Sequence, residues 1–166
     1  MRQKSVFLFS MILIGVFAPA APAQDLLAEN SEAATVFAEG IKLMRESRYA
    51  EAGRKFAAVI KLAPEKAEAY NALGAAYVYL NRREEAYPCF RKAIRLAPDF
   101  AVAYYNLGNL YDRDGRAELA ADSFRQAVER QPEYALAWFA LGNVRLGLKN
   151  YDEAVSAFEK TARLDA

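Results

Sequence analysis

The stretch "YYNLGNLY", Tyr104 to Tyr111, is written three times in this chain with small changes. Thirty-four residues earlier the sequence reads "YNALGAAY" (Tyr70 to Tyr77), and thirty-four later "WFALGNVR" (Trp138 to Arg145). Tyr104, Leu107, Gly108 and Tyr111 have the 3, 4, 7 spacing of one helical face. The "DRDGR" that follows (Asp112 to Arg116) breaks that helix, with Gly115 suited to the left-handed position at a helix end. Ala120, Phe124 and Ala127 make the facing stripe of a second helix. Pro132 stops it by disfavouring helical geometry in the residue before.

The landmarks recur in register, which defines units at 33–66, 67–100, 101–134 and 135–166. The glycine returns as Gly40, Gly74, Gly108 and Gly142, and an alanine twelve residues later as Ala52, Ala86, Ala120 and Ala154. An aromatic follows as Phe56, Phe90, Phe124 and Phe158, and three units close on Pro64, Pro98 and Pro132. One helix pair cannot bury its apolar face alone, but a stack of pairs makes a continuous core. Gly108 and Ala120 are expected where the two helices of a unit approach most closely, and Phe124 in the space between successive units. Pro88, several residues into a second helix, should cost a backbone hydrogen bond or start that helix late.

The chain carries 22 basic and 21 acidic residues, a net +1, so it has no basic excess with which to neutralise phosphates, and nucleic acid is not an expected partner. Arg2 and Lys4 precede the apolar run "VFLFSMILIGVF" (Val6 to Phe17) and the small-residue stretch "APAAPA", which together read as an export signal over residues 1–23. Cleavage after Ala23 leaves 20 basic against 21 acidic residues and a mature start at Gln24. The rival reading is an uncleaved anchor, but twelve residues span only about 18 Å as a helix against a hydrocarbon core of about 30 Å. No stable membrane span is expected after cleavage, and a periplasmic or secreted location follows. Residues 24–32, "QDLLAENSE", read as a polar linker.

Catalytic chemistry finds little to use. The chain has no histidine, one cysteine (Cys89) and no clustered glycines, which argues against a neutral-pH base, an ordinary zinc site, an internal disulfide or a phosphate loop. Acidic pairs such as Glu84-Glu85 and Asp152-Glu153 stand at the starts of second helices, where negative charge suits the helix dipole. No catalytic residue, metal or cofactor is expected.

The pattern resembles the tetratricopeptide repeat family. That family prefers Trp or Tyr at unit position 4, Leu at 7, Gly at 8, Tyr at 11, Ala at 20, an aromatic at 24, Ala at 27 and Pro at 32. The third unit matches with Tyr104, Leu107, Gly108, Tyr111, Ala120, Phe124, Ala127 and Pro132. The second matches with Tyr70, Leu73, Gly74, Tyr77, Ala86, Phe90, Ala93 and Pro98. Departures gather in the end units: Val36, Glu39 and Leu43 in the first, Arg145 and Ala166 in the fourth. The resemblance implies an all-α fold, a right-handed α-solenoid superhelix of four helix-turn-helix repeats. It also implies that the fourth unit lacks the solvating helix such arrays usually carry, leaving Val155, Phe158 or Leu164 at an open end.

At 100° per residue, positions 4, 7, 8 and 11 fall between about 140° and 240°, whereas 5, 6, 9, 12 and 13 fall between about 280° and 40°. In the family this second stripe lines a concave groove. Here it offers Asn71, Tyr79, Tyr105, Asn106, Asn109, Arg113, Phe139 and Asn143. Asparagine amides both donate to and accept from a peptide backbone, the aromatics supply apolar pockets, and Arg113 suits an acidic group. The plainer alternative is that these polar residues only solvate the inner face. Family members that grip a C-terminal carboxylate use lysines and an arginine or lysine around paired asparagines. This chain has Tyr105 with Asn109 but then Leu136 and Ala140, so that specificity is not expected. The resemblance therefore implies a scaffold for a protein or extended peptide, with self-association through the C-terminal end as the alternative.

Overall fold

The computed structural model describes residues 23–164. Among them are eight helices and no strand: α1 (Ala23–Arg45), α2 (Tyr49–Leu62), α3 (Ala67–Tyr79), α4 (Arg83–Leu96), α5 (Ala101–Arg113), α6 (Ala117–Arg130), α7 (Ala135–Gly147) and α8 (Tyr151–Leu164). The expected export signal lies outside the described residues except for its last, Ala23. Helix α1 runs unbroken through the segment 24–32 that the sequence reading takes as a linker. That segment contains neither glycine nor proline, so nothing in its chemistry stops the helix.

Within each unit the glycine and the aromatic meet. A Cβ added to Gly40, Gly74, Gly108 or Gly142 would lie 2.6, 2.7, 2.6 and 2.6 Å from the nearest ring carbon of Phe56, Phe90, Phe124 and Phe158. Phe124 thus also fills the seam inside its own unit, which the expectation above assigned only to the space between units. Phe56, Phe90 and Phe124 are fully buried. The next unit covers the second helix with small and aliphatic side chains: Ala69, Ala103 and Ala137 at position 3, and Leu73, Leu107 and Leu141 at position 7, are all buried.

Four turns share one geometry. Ser47, Asn81, Gly115 and Lys149, all at position 15, have φ of 59°, 59°, 71° and 64°. Each turn is closed by a bond reaching back five residues, from the N–H of Arg48, Arg82, Arg116 and Asn150 to the carbonyls of Leu43, Tyr77, Tyr111 and Arg145 at 2.8–2.9 Å. This is the Schellman closure, in which the residue before the donor is left-handed. Only in unit three does glycine occupy the site. Pro88 lies inside α4, which starts in the same register as its counterparts, so the helix absorbs the lost bond instead of starting late.

Each helix packs on its sequence neighbours, and α1, α3, α5 and α7 also touch one another across units, whereas no two second helices do. The first helices therefore form the inner, tighter side of the stack.

Two substitutions test these constraints by urea denaturation. Gly108→Ala should lower stability by about 1–3 kcal/mol, because its methyl group meets a ring that has nowhere to go. Lys149→Gly should raise it by about 0.5–1 kcal/mol, by relieving a left-handed lysine.

Candidate functional site

The inner stripe is assembled from α3 and α5. A pocket of about 350 Å³ is lined by Tyr79, Tyr105, Asn106, Asn109 and Arg113, together with Ala75, Val78, Phe90 and Leu110. Five of the eight candidate groove residues are thereby brought together. Asn71 sits behind them, its Oδ1 accepting the Asn106 amide at 2.9 Å. Phe139 and Asn143 are exposed on α7, one unit further along, and do not line this pocket.

The side chains are held in different ways. Tyr79 is exposed but stacks on Tyr49, with ring centroids 4.5 Å apart and planes within 8°. Tyr105 packs against Phe124 and Tyr134, at 5.7 and 5.1 Å between centroids, so its ring is fixed from below. Burial pushes the Tyr134 hydroxyl up to about 12, with Tyr105 as a lesser cause, which keeps that support neutral. The Asn71–Asn106 bond uses one acceptor and one donor and leaves the Asn106 carbonyl and the Asn71 amide N–H groups for other partners. The pocket thus offers fixed aromatic faces, paired amides and one guanidinium, a set suited to a peptide backbone and its side chains. Tyr49, at the start of α2, was not among the candidates. Its signal is weak, because contact with Tyr79 depends on how unit one meets unit two.

The tetratricopeptide repeat pattern matches residues 37–78 and 105–166, and a second form of it matches 67–100. The chain belongs to the tetratricopeptide repeat family. Among solved structures, a crystal structure of MamA is 27% identical, covering 86% of this chain and 83% of its own, with a TM-score of 0.74. MamA 41-end from Desulfovibrio magneticus RS-1 is 28% identical over 80% of this chain and 75% of its own, with a TM-score of 0.70. No functionally curated protein matches the sequence.

For this repeat protein the reactive groups are few. Among the described residues no group of three or more Cys, Asp, Glu or His is placed to hold a metal ion, and no helix is long and apolar enough to cross a membrane. Cys89 is half-buried on α4. Burial first, and then the Glu85 carboxylate, pushes its thiol up to about 11. The thiol is therefore protonated at neutral pH and a poor nucleophile. Alkylation by iodoacetamide should be slow at pH 7 and should accelerate with each pH unit towards about 11. A thiol with an ordinary value would instead level off near pH 9.

Proposed function

We propose that this protein is a non-catalytic scaffold that binds an extended peptide segment of a protein partner across the inner face of its first helices. The observation that carries the reading is the pocket where Tyr79, Tyr105, Asn106, Asn109 and Arg113 converge. Tyr105 packs on the landmark ring of Phe124, whereas the other four occupy no landmark position and their chemistry is available to a ligand. The paired amides suit a peptide backbone, Tyr105 and Val78 an apolar side chain, and Arg113 a carboxylate. Phe139 and Asn143 extend the same stripe to α7 for a longer segment. The export-type N-terminus supports a place in the bacterial envelope, periplasmic or secreted, where the mature protein would begin at Gln24.

The test compares the parent with an Asn109→Ala, Arg113→Glu double variant in affinity isolation from envelope extract. Both side chains border solvent, so the variant should fold with unchanged helix content. The expected result is a bound protein lost by at least about tenfold, the size of a charge-assisted contact. Equal retention by both forms overturns the reading.

A second reading, self-association, is favoured by how burial changes along the stack. Position 21 faces the next unit: Gly53 meets Leu73 and Ala76, and Tyr87 packs on Tyr111. Tyr87 is 8% and Ala121 0% exposed, but Val155 in the fourth unit is 56% exposed, with Tyr151 exposed beside it. Phe158 and Leu164, both expected at that end, are half-buried. The opposite end is different. Thr35, Glu39 and Lys42 occupy positions 3, 7 and 10, where the later units have alanine, leucine and aliphatic residues, and Glu39 is ion-paired with Lys55. Head-to-tail stacking would bury those charges. The complement to the Val155 face is then the same face on a second copy, giving a closed dimer. Light scattering should show dimers that Val155→Glu converts to monomers. Open-ended polymers, or monomers at all concentrations, exclude this arrangement.

A further inference from the structure

The outer side of the stack carries a second groove, of about 560 Å³, between α6 and α8. Its floor is Trp138 and Leu141, and its rim includes Glu129, Asp152, Glu153 and Lys160. What this groove is built to hold can be read from its counterpart one repeat earlier.

In that counterpart the position-4 aromatic is Tyr104, and the protein fills the site with its own cation. The Arg130 guanidinium lies 4.2 Å from the Tyr104 ring centroid, and its Nε donates to the Pro98 carbonyl at 2.5 Å. A second nitrogen, Nη1, donates to the carbonyl and side-chain oxygens of Gln126 at 3.0 and 2.8 Å. The Pro98 carbonyl also accepts the Tyr104 hydroxyl at 3.3 Å, so it serves two donors. In the second unit Tyr70 likewise has a cation over its ring, Lys92 at 5.7 Å.

The fourth unit keeps the ring-to-carbonyl bond but differs in its cation and its rim. Leu164 stands at the position of Arg130, and among the described residues no cation lies over the Trp138 ring. The indole N–H donates to the Pro132 carbonyl at 2.8 Å, which fixes the ring and uses one of that oxygen's two acceptor positions. The rim has changed charge as well. Glu129, Asp152 and Glu153 stand where the earlier groove has Arg95, Glu118 and Leu119. Two of these acids have partners, Glu129 with Arg125 at 3.9 Å and Glu153 with Arg145 at 2.9 Å. Asp152 has none among the described residues. Lys160 corresponds to Gln126 and to Lys92, and is the internal rival for the ring.

We infer that this outer groove binds an arginine side chain of a partner protein, seated on Trp138 as Arg130 is seated on Tyr104. Indole is the strongest cation–π acceptor among side chains. The guanidinium has planar donors for the remaining acceptor position of Pro132 and for the Asp152 carboxylate. The site is independent of the inner groove and survives the failure of that reading.

Trp138 is the sole tryptophan, so one indole N–H resonance and one fluorophore report on the site. The probe is the capped tripeptide Ala-Arg-Ala, compared with Ala-citrulline-Ala, which keeps the shape and loses the charge. The arginine peptide should shift the indole resonance saturably and bind at least about tenfold more tightly than the citrulline peptide, as expected of a charged contact. Asp152→Asn should weaken it, and Lys160→Met should strengthen it by removing the rival cation. Leu164→Arg, which supplies the cation internally, should abolish binding while leaving helix content unchanged. An unmoved indole resonance, equal affinity for citrulline, or full binding by Leu164→Arg overturns the proposal.

Discussion

The aromatic ring at position 24 rests on the bare Cα of the glycine at position 8, and this contact recurs in all four units. Everything else in the stack is built on the distance it sets. With no Cβ between them, the two helices of a unit close until Phe56, Phe90 or Phe124 is sealed from water, contributing about 1.5–3 kcal/mol for each ring so buried. The next first helix then lies on that pair through alanine and leucine at positions 3 and 7, side chains small enough to bring first helices into contact across units. Curvature follows from the same asymmetry, since the first helices meet and the second helices do not.

Because a few positions do the packing, the intervening ones are released, and the sequence shows which. The angular separation of the two stripes on a helix was legible, and it brought Tyr79, Tyr105, Asn106, Asn109 and Arg113 to one pocket. Which stripe residues meet was not legible, because that depends on how adjacent units approach. Asn71 and Asn106 are thirty-five residues apart and bond to each other, while Asn143 lies beyond the pocket. The own-unit contact of Phe124 with Gly108 is hidden for a related reason: an aromatic opposite a glycine has the same spacing whether it faces its own unit or the next.

The turns show where local chemistry alone falls short. Gly115 announced a left-handed residue, but Ser47, Asn81 and Lys149 adopt the same φ without glycine. The five-residue closure behind each turn imposes the geometry, and tertiary packing on both sides of the loop outweighs the preference of a single residue. Pro88 is the same lesson in reverse. Alone it would break a helix, yet Ala86, Phe90 and Ala93 are buried around it and hold α4 in register with the others.

A repeat array is its own control, because each backbone environment appears several times with different side chains. Comparison inside the chain therefore reaches further than comparison outside it. The 27% identity with MamA goes with a shared fold, and a shared fold does not by itself carry over what the grooves bind. Within the chain, by contrast, Arg130 lies over Tyr104 and, among the described residues, no cation lies over Trp138, a difference at the same repeat position. The change from Arg95, Glu118 and Leu119 to Glu129, Asp152 and Glu153 occurs in that same frame, and packing does not require it. Variation that the fold leaves free, concentrated around the Trp138 ring, is where selection for a partner would be written.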